Sequence, residues 1–376
     1  MDDAEIRRLA REVFAPLAAA GERGRVNRAL VRALGDTGLL GRLFPTPLGG
    51  TGGDGVSATE LCRLREGLAR ECTEAETALA LQGLGTYPVV QSGSAELAAR
   101  HVPAVARGEA VAAFALSEPG AGSDAAALTL AAESDGAGWR LSGEKIWISN
   151  APDADLYTVF ARTGPPGSGA RGVTAFVVAG GAAGLSGEPI DMLAPHAVGR
   201  LVFDGVAVGP GDVLGDVGAG FRVAMRTLDL FRPSVGAFAV GMAEAALDHA
   251  VAHARERRAF GRPIADFQAV SHALADMATR TRAARLLVYD AARAYDEGRT
   301  ADITRLAAMA KLYATETAQA VVDGAVQILG ARALVAGHPL EHLYREVRAP
   351  RIYEGTSEIQ RTIIARALLR PERDGS

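Results

Sequence analysis

The order in which apolar spacing changes along the chain is the feature that most constrains its fold. Apolar residues first follow helical spacing, as at Ile6, Leu9 and Val13, then give way to short β-prone runs between Gly- and Pro-rich turns, and finally return to helical spacing. This order predicts an α+β protein with an N-terminal helical domain (1–110), a middle antiparallel β-sheet domain (111–212) and a C-terminal helical bundle domain (213–376).

Individual elements can be placed within these domains. Amphipathic stretches predict C-terminal helices near 221–257, 264–297, 301–329, 340–348 and 357–369. Strands are predicted near 111–116, 128–133, 139–148, 156–162, 173–179 and 201–208. Because the loops between the C-terminal helices are short, neighbouring helices are expected to pack antiparallel.

Charge and hydropathy disfavour several classes of protein. The chain has 40 basic and 44 acidic residues and a net charge of -4, without the basic excess that nucleic-acid phosphates require. It has no uninterrupted apolar run of about 20 residues, and its acidic start lacks the pattern of a leader peptide. We therefore expect a cytoplasmic protein with no membrane or nucleic-acid partner. Only two of the 40 basic residues are lysines, Lys145 and Lys311.

Several motifs that resemble known sites lack the context those sites need. Two G-x-G-x-x-G strings, at 50–55 and 167–172, do not stand between a buried strand and a helix, so neither predicts a Rossmann site. His249 and His253 share a helical face but have no third ligand at a suitable spacing, and Cys62 and Cys72 form no metal-binding motif, so no metal is predicted. No G-x-S-x-G or P-loop motif is present, which disfavours hydrolases and NTPases.

Two segments of the middle domain are suited to a flat ligand. The run Ser-Glu-Pro-Gly-Ala-Gly-Ser-Asp at 117–124 places small residues between the hydroxyls of Ser117 and Ser123, so backbone amides can approach a ligand closely. In the run Gly-Glu-Lys-Ile-Trp-Ile-Ser-Asn at 143–150, strand alternation puts Trp147 and Ser149 on one face, which gives a stacking surface beside a hydroxyl.

A third segment, at 351–361, carries a candidate general base. Ser357 and Gln360 predict a capping box at the start of the last helix, which leaves Glu354 just outside the helix N-terminus. An exposed Glu354 would simply complement the helix dipole. A buried Glu354 would have a raised pKa, which suits a base that removes a weakly acidic carbon-bound proton.

On these motifs the chain resembles the acyl-CoA dehydrogenases, FAD-dependent enzymes that introduce an alpha,beta double bond into acyl thioesters. The resemblance covers nearly the whole chain and implies the family's architecture, which ends in a C-terminal four-helix bundle. Five motifs occur in the family's order: the runs at 117–124 and 145–150, Glu-Arg-Arg-Ala-Phe-Gly at 256–261 with Gln268 after it, Gln-Ile-Leu-Gly at 327–330, and Tyr-Glu-Gly-Thr-Ser-Glu-Ile-Gln at 353–360.

The resemblance implies residue roles. In the middle domain, the residues implied to hold the flavin are Phe114, Leu116, Ser117, Gly122, Ser123, Trp147, Ile148 and Ser149. Further FAD contacts, several of them reaching a neighbouring subunit's cofactor, are implied for Arg257, Phe260, Gln268, Gln327, Gly330, Ala331, Thr356, Ser357 and Glu358. The residues implied to contact the acyl-CoA substrate are Ser123, Asp229, Phe231, Arg232, Tyr353 and Gly355.

The resemblance also implies a reaction and partners. Glu354 would remove the alpha proton while the beta hydride passes to flavin N5, with the thioester oxygen polarised by the flavin ribityl hydroxyl and the Glu354 amide. Electrons would pass to an electron-transfer flavoprotein, and the enzyme would be a homotetramer, a dimer of dimers, acting in fatty acid metabolism.

Two departures from the family pattern keep alternatives open. Ala331 and Arg332 follow Gly330 where many members have Gly-x-Gly and an aromatic residue, and Pro195 and His196 occupy the place of a serine that helps to seat coenzyme A. A dehydrogenase of carrier-protein-bound acyl groups, a flavin monooxygenase or oxidase of the same superfamily, and a non-catalytic scaffold relative therefore remain alternatives. A dicarboxylate substrate is disfavoured because the 82–87 segment lacks the arginine of glutaryl-type enzymes.

Overall fold

The computed structural model describes residues 1–165, 167–299 and 301–369. These residues form two compact units. The sheet unit comprises the described residues of Arg8–Val56 and Glu74–Leu228, and the bundle unit comprises Met1–Arg7, Ser57–Thr73 and the described residues from Asp229 to 369. These units do not test the domain boundaries at 110 and 212, which stay predictions.

The α-helices of the described residues lie before and after the strands of the main sheet. They are α1 (Asp3–Leu9), α2 (Ala15–Ala19), α3 (Arg28–Asp36), α4 (Ala58–Ala69), α5 (Thr73–Ser92), α6 (Ala95–Ala106), α7 (Gly220–Glu256), α8 (Gln268–Asp296), α9 (Ile303–Leu329), α10 (Pro339–Glu346) and α11 (Ser357–Leu368). A π-helical turn, Ala10–Phe14, joins α1 to α2. The five predicted C-terminal helices are confirmed, with ends that differ by a few residues.

The strands lie between α6 and α7, except for one small hairpin. They are β1 (Ala112–Ala115), β2 (Ala131–Ser134), β3 (Trp139–Ser149), β4 (Leu156–Arg162), β5 (Val173–Ala179), β6 (Leu185–Pro189), β7 (Val198–Val208), β8 (Val213–Leu214) and the hairpin β9 (Arg258–Ala259) and β10 (Arg262–Pro263). The predicted α+β class is confirmed. Sequence patterns missed β6, four of whose five residues are exposed, and the two-residue β8.

The main sheet is mixed, so the predicted antiparallel arrangement holds for most of its strand pairs but not for all. Its strand order is β6-β7-β3-β2-β4-β5-β8, and β1 pairs with β4 off this path. Most neighbours are antiparallel, but β1 and β2 both pair with β4 in parallel. The reason is that β1 reaches β4 by a long crossover that contains β2 and β3. Six of the seven residues of β4 are buried, so this strand lies at the sheet's core.

The bundle unit is held together by closely packed helices. α8 packs on α9, and α9 also packs on α10 and α11. Gly236 in α7 permits close approach to α8, because an added Cβ would lie 2.6 Å from Val288 Cγ2. Within the described residues, α7 is also the one helix long and apolar enough to cross a membrane, but 67% of its apolar stretch is buried inside the protein, as in a core helix.

Candidate active site

The segment that carries Glu354 is a left-handed turn at the start of α11. Glu354 has a φ of 53° and Gly355 a φ of 91°. A positive φ costs a non-glycine residue of the order of 1–3 kcal/mol, so the surrounding contacts must hold the turn in place. Strained backbone of this kind concentrates at functional sites.

The helix begins one residue earlier than the predicted capping box requires. The N-cap is Thr356, whose Oγ1 accepts a hydrogen bond from the Ile359 amide at 3.3 Å. Ser357 is the first helical residue, and its hydroxyl instead donates to Glu316 Oε1 at 2.6 Å. The prediction that Ser357 and Gln360 form the box is therefore wrong, because the extended φ and ψ of a cap fall at Thr356.

Three buried side chains bind the two carbonyl groups of this turn. Lys311 Nζ donates to the Gly355 carbonyl at 2.7 Å, and Arg232 Nε donates to the Glu354 carbonyl at 3.2 Å. Gln360 Nε2 donates to both carbonyls, at 3.1 Å and 2.9 Å. The Glu354 and Gly355 carbonyls precede α11 and take no part in its backbone hydrogen bonds, so these side chains supply their partners. The same bonds fix the turn and therefore the direction of the Glu354 side chain.

The Glu354 carboxyl group lies in a desolvated setting. The residue as a whole is half-buried, but its Oε2 atom is inaccessible to solvent and has no hydrogen-bond partner among the described residues. Burial raises the pKa of Glu354 above its ordinary value, while the positive charges of Arg65, Lys311 and Arg232 oppose that rise. The group has the properties of a proton acceptor with raised basicity.

The other residues predicted to contact substrate have different exposures. Arg232 is only 4% exposed and lies 3.7 Å from Asp229, which is half-buried and accepts a hydrogen bond from Thr304. Phe231 is buried, whereas Tyr353 is half-buried beside Glu354. The structure thus brings Arg232 to the turn that carries Glu354, and the contacts of these residues with substrate stay predictions.

In the sheet unit, a buried ion pair organises the segment predicted to hold the flavin. Lys145 Nζ lies 2.8 Å from Glu118 Oε1 and donates to the Leu116 carbonyl at 2.9 Å. Glu118 also accepts hydrogen bonds from the amides of Thr129 and Leu130 and from the Thr129 hydroxyl. Burial lowers the pKa of Lys145 to about 8, although Glu118 opposes the shift. Burial would raise the pKa of Glu118, but Lys145 and the amides hold it below its usual value.

Trp147 stands out from the sheet at a bulge. The β3–β7 register shifts between Lys145 and Ile148, and Trp147 has a φ of 60°. Its side chain is 55% exposed, whereas Lys145 and Ile148 are buried and Ser149 is half-buried. The bulge therefore presents a large aromatic surface to solvent beside the Ser149 hydroxyl.

The neighbouring segment offers room and polar groups. A Cβ added to Gly122 would meet no atom within 4 Å, Ser123 is exposed and Ser117 is half-buried. Leu116 is buried, and the Phe114 ring lies 4.9 Å from that of Phe160, so both support the segment from behind. An open, hydroxyl-bearing loop and an exposed tryptophan fit a planar cofactor such as a flavin.

Most of the residues predicted to make further FAD contacts are exposed. Those predicted to reach a neighbouring subunit's cofactor are all exposed, namely Arg257, Phe260, Gln268, Gln327, Gly330 and Ala331, and so is Glu358, predicted as a further FAD contact. Phe260 and Gly261 form the tip of the β9–β10 hairpin, both with positive φ, and Phe260 is 95% exposed. Thr356 is a half-buried cap, and Ser357 is only 4% exposed, with its hydroxyl bound to Glu316.

Sequence reasoning missed the residues that surround Glu354. Arg65 on α4 and Lys311 on α9 were given no role in the site, because they lie far from Glu354 in the sequence, whereas Gln360 on α11 was expected only in a capping box with Ser357. Of Arg65 and Lys311, only Lys311 had a signal, as one of two lysines in an arginine-rich chain.

Comparison with known proteins places this geometry in a family. The models of the acyl-CoA dehydrogenase N-terminal, middle and C-terminal domains match residues 3–109, 113–206 and 218–369. The chain belongs to the acyl-CoA dehydrogenase family, and its fold and oxidoreductase class are those of that family. FAD is the cofactor of the family, and it is found in solved proteins of this fold.

Among individual relatives, cyclohexane-1-carbonyl-CoA dehydrogenase of Geobacter metallireducens is 37% identical over 369 residues, which is 97% of this chain and 96% of the relative. The structure of butyryl-CoA dehydrogenase from Megasphaera elsdenii has a TM-score of 0.92 at 34% identity, covering 98% of this chain and all of the other. The prolyl acyl carrier protein oxidase AnaB has a TM-score of 0.90 at 27% identity, covering 98% of each chain.

Proposed function

We propose that the protein is an acyl-CoA dehydrogenase in which Glu354 removes the alpha proton of an acyl thioester and electrons pass on to an electron-transfer flavoprotein. The observation that carries this proposal is the Glu354 turn. Its carboxyl group is desolvated, has an unpartnered Oε2 and is held in strained geometry by Lys311, Arg232 and Gln360. Bound FAD would supply the hydride acceptor.

The protein's own residues would divide the remaining work. Trp147 would cover one face of the isoalloxazine ring, and the hydroxyls and amides of the 117–123 segment would bind its polar edge. The Glu118–Lys145 pair keeps that segment in place. The Glu354 amide would polarise the thioester carbonyl, where negative charge develops during proton removal.

Two of the relatives, together with the absence of the glutaryl-type arginine from the 82–87 segment, favour an uncharged acyl group on coenzyme A. The names of the Geobacter and Megasphaera relatives specify a cyclic and a short acyl-CoA, neither with a second carboxylate. A carrier-protein-bound acyl group is the second candidate, since AnaB acts on such a group and His196 replaces the expected serine of the coenzyme A seat.

Anaerobic flavin reduction across a panel of thioesters tests the proposal. We expect the yellow holoenzyme to bleach with at least one of butyryl-CoA, octanoyl-CoA and cyclohexane-1-carbonyl-CoA, and to do so more slowly with the corresponding acyl carrier proteins. Bleaching by the carrier-protein thioesters alone would move the assignment to the second candidate. A purified protein that takes up no FAD would favour a scaffold.

The same substrates identify the electron acceptor. In air, we expect slow turnover without an electron-transfer flavoprotein and fast turnover when that protein and a dye are added. Rapid stoichiometric formation of hydrogen peroxide would reassign the enzyme as an oxidase.

The exposed surface around Phe260 supports an assembly of copies of this chain, which we propose to be a homotetramer. A phenylalanine that is 95% exposed at a hairpin tip is unusual for a surface that stays in water. Arg257, three residues earlier, is also exposed and matches a family position that reaches a neighbour's cofactor.

Loss of Arg257 is expected to lower FAD occupancy without unfolding the chain. If its guanidinium binds the cofactor phosphates of a second copy, Arg257→Ala should reduce the flavin-to-protein ratio severalfold while circular dichroism stays unchanged. Light scattering gives the assembly state. Arg255→Ala, which removes an exposed arginine two residues earlier, is the control. A monomeric parent with full FAD would contradict the shared site.

A further inference from the structure

The two lysines occupy positions unlike those of most arginines in the chain. The other 38 basic residues are arginines, and most of those in the described residues are exposed or half-buried. Lys145 and Lys311 are both fully buried, and each ammonium group donates to a backbone carbonyl. An ammonium is compact and offers three donors, whereas a guanidinium is a wide planar fork. Lysine therefore marks positions where a small buried cation is needed.

Lys311 lies against the catalytic turn. Its Nζ donates to the Gly355 carbonyl at 2.7 Å, next to the strained backbone of Glu354. A hydrogen bond from a charged donor is about twice as strong as a neutral one, so this contact stabilises the positive φ of the turn strongly.

The charges around Glu354 come from three helices. Arg65 projects from α4, Arg232 from α7 and Lys311 from α9, and each favours the ionised carboxylate. Lys311 in turn is influenced by Arg232 and by the carboxylates of Glu316 and Glu358, while Asp229 faces Arg232. Burial lowers the pKa of Lys311 to about 8, so it is charged below that pH, and there its charge favours the ionised form of Glu354.

We propose that Lys311 is a positioning residue for Glu354, with its ammonium both fixing the left-handed turn and favouring the ionised form of the neighbouring carboxylate. The proposal rests on the assignment of Glu354 as the base. Lys311 makes two separate contributions: a hydrogen bond, which any donor could supply, and a positive charge, which only a cation supplies.

The charge contribution has a definite sign. Without the cation, the ionised form of Glu354 is less stable, so its pKa rises, and the rate of flavin reduction should reach its plateau at a higher pH. Lys311→Met should therefore lose more activity at pH 6 than at pH 9. Loss of packing alone would lower the rate by a similar factor at both pH values.

Infrared spectroscopy measures this effect without any substrate. The holoenzyme is titrated with acid, and the carbonyl stretch of protonated buried carboxyl groups is recorded. The band that is present in the parent but absent from Glu354→Gln belongs to Glu354. We expect Lys311→Met to move the midpoint of this band upward by about one pH unit. Arg351→Met is the matched control, because it also removes one positive charge close to the turn, but from a residue paired with Glu316 at 2.8 Å.

A second variant separates the hydrogen bond from the charge and covers the case in which Lys311→Met does not fold. Lys311→Gln keeps a donor for the Gly355 carbonyl, so we expect it to show the same upward shift with a smaller loss of the maximal rate. An unchanged midpoint in a folded Lys311 variant, or an equal shift in Arg351→Met, would overturn the proposal. Parental flavin reduction by Glu354→Gln would instead refute the base assignment, and the infrared midpoints would still be measurable.

Discussion

Replacing Glu354 with glutamine is expected to slow anaerobic flavin reduction at least about a hundredfold with the best thioester of the panel. A positioned general base contributes roughly 10²–10⁴-fold to proton abstraction, and glutamine cannot accept the proton. Glutamine keeps the size of the side chain, and the turn is held through backbone carbonyls that the substitution leaves unchanged. FAD content and melting temperature should therefore stay close to those of the parent.

Stopped-flow spectroscopy of the flavin band measures this rate. Glu297→Gln, which alters an exposed acid in the same unit, is the matched control and should reduce its flavin at the parental rate. The parent's rate should rise with pH through the raised pKa of Glu354, because only the carboxylate accepts a proton. If Glu354→Gln bleaches as fast as the parent, Glu354 is only an acid at a helix terminus, and the base lies elsewhere.

Replacing Glu118 with glutamine is expected to be strongly destabilising. The substitution leaves the Lys145 ammonium buried without a carboxylate, a change that typically costs about 3–5 kcal/mol. It also turns an amide group toward the donors of Thr129 and Leu130. We expect a large fall in melting temperature and loss of FAD, because the 116–123 segment is no longer fixed.

Lys145→Met should destabilise the protein less than Glu118→Gln does, since Glu118 keeps its hydrogen bonds from Thr129 and Leu130. The double variant should be more stable than the sum of the two single effects predicts, since it leaves no unpaired buried cation. The loss of unfolding free energy caused by Glu118→Gln should also be smaller at pH 9 than at pH 6. The reason is that buried Lys145, whose pKa is lowered, becomes neutral at the higher pH. Denaturant unfolding at both pH values measures these differences. If the two single effects on the free energy of unfolding add up in the double variant, and if neither effect changes with pH, Glu118 and Lys145 are not coupled.

The change of apolar spacing along the chain, from helical to strand-like and back to helical, placed most helices and strands correctly. The spacing is informative because it reflects which face of a local element is buried. Where it failed, the deciding contacts were long-range. The parallel pairing of β1 with β4 depends on how the intervening strands fold back, and the cap at Thr356 depends on backbone angles set by the bound carbonyls of the preceding turn.

The sequence by itself determined which chemical groups the candidate site contains: Glu354 in its motif, the small and hydroxyl-bearing residues near Gly122, and Trp147. Only the tertiary structure decided the electrostatic environment of these groups. Arg65, Arg232 and Lys311 come from three different helices, and the pKa of Glu354 depends on their positions in space and on burial, neither of which is encoded within the 353–360 motif. Likewise, Lys145 acquires its partner Glu118 only when β3 returns beside the 116–130 segment, since a buried charge is tolerable only where the fold supplies its counter-ion.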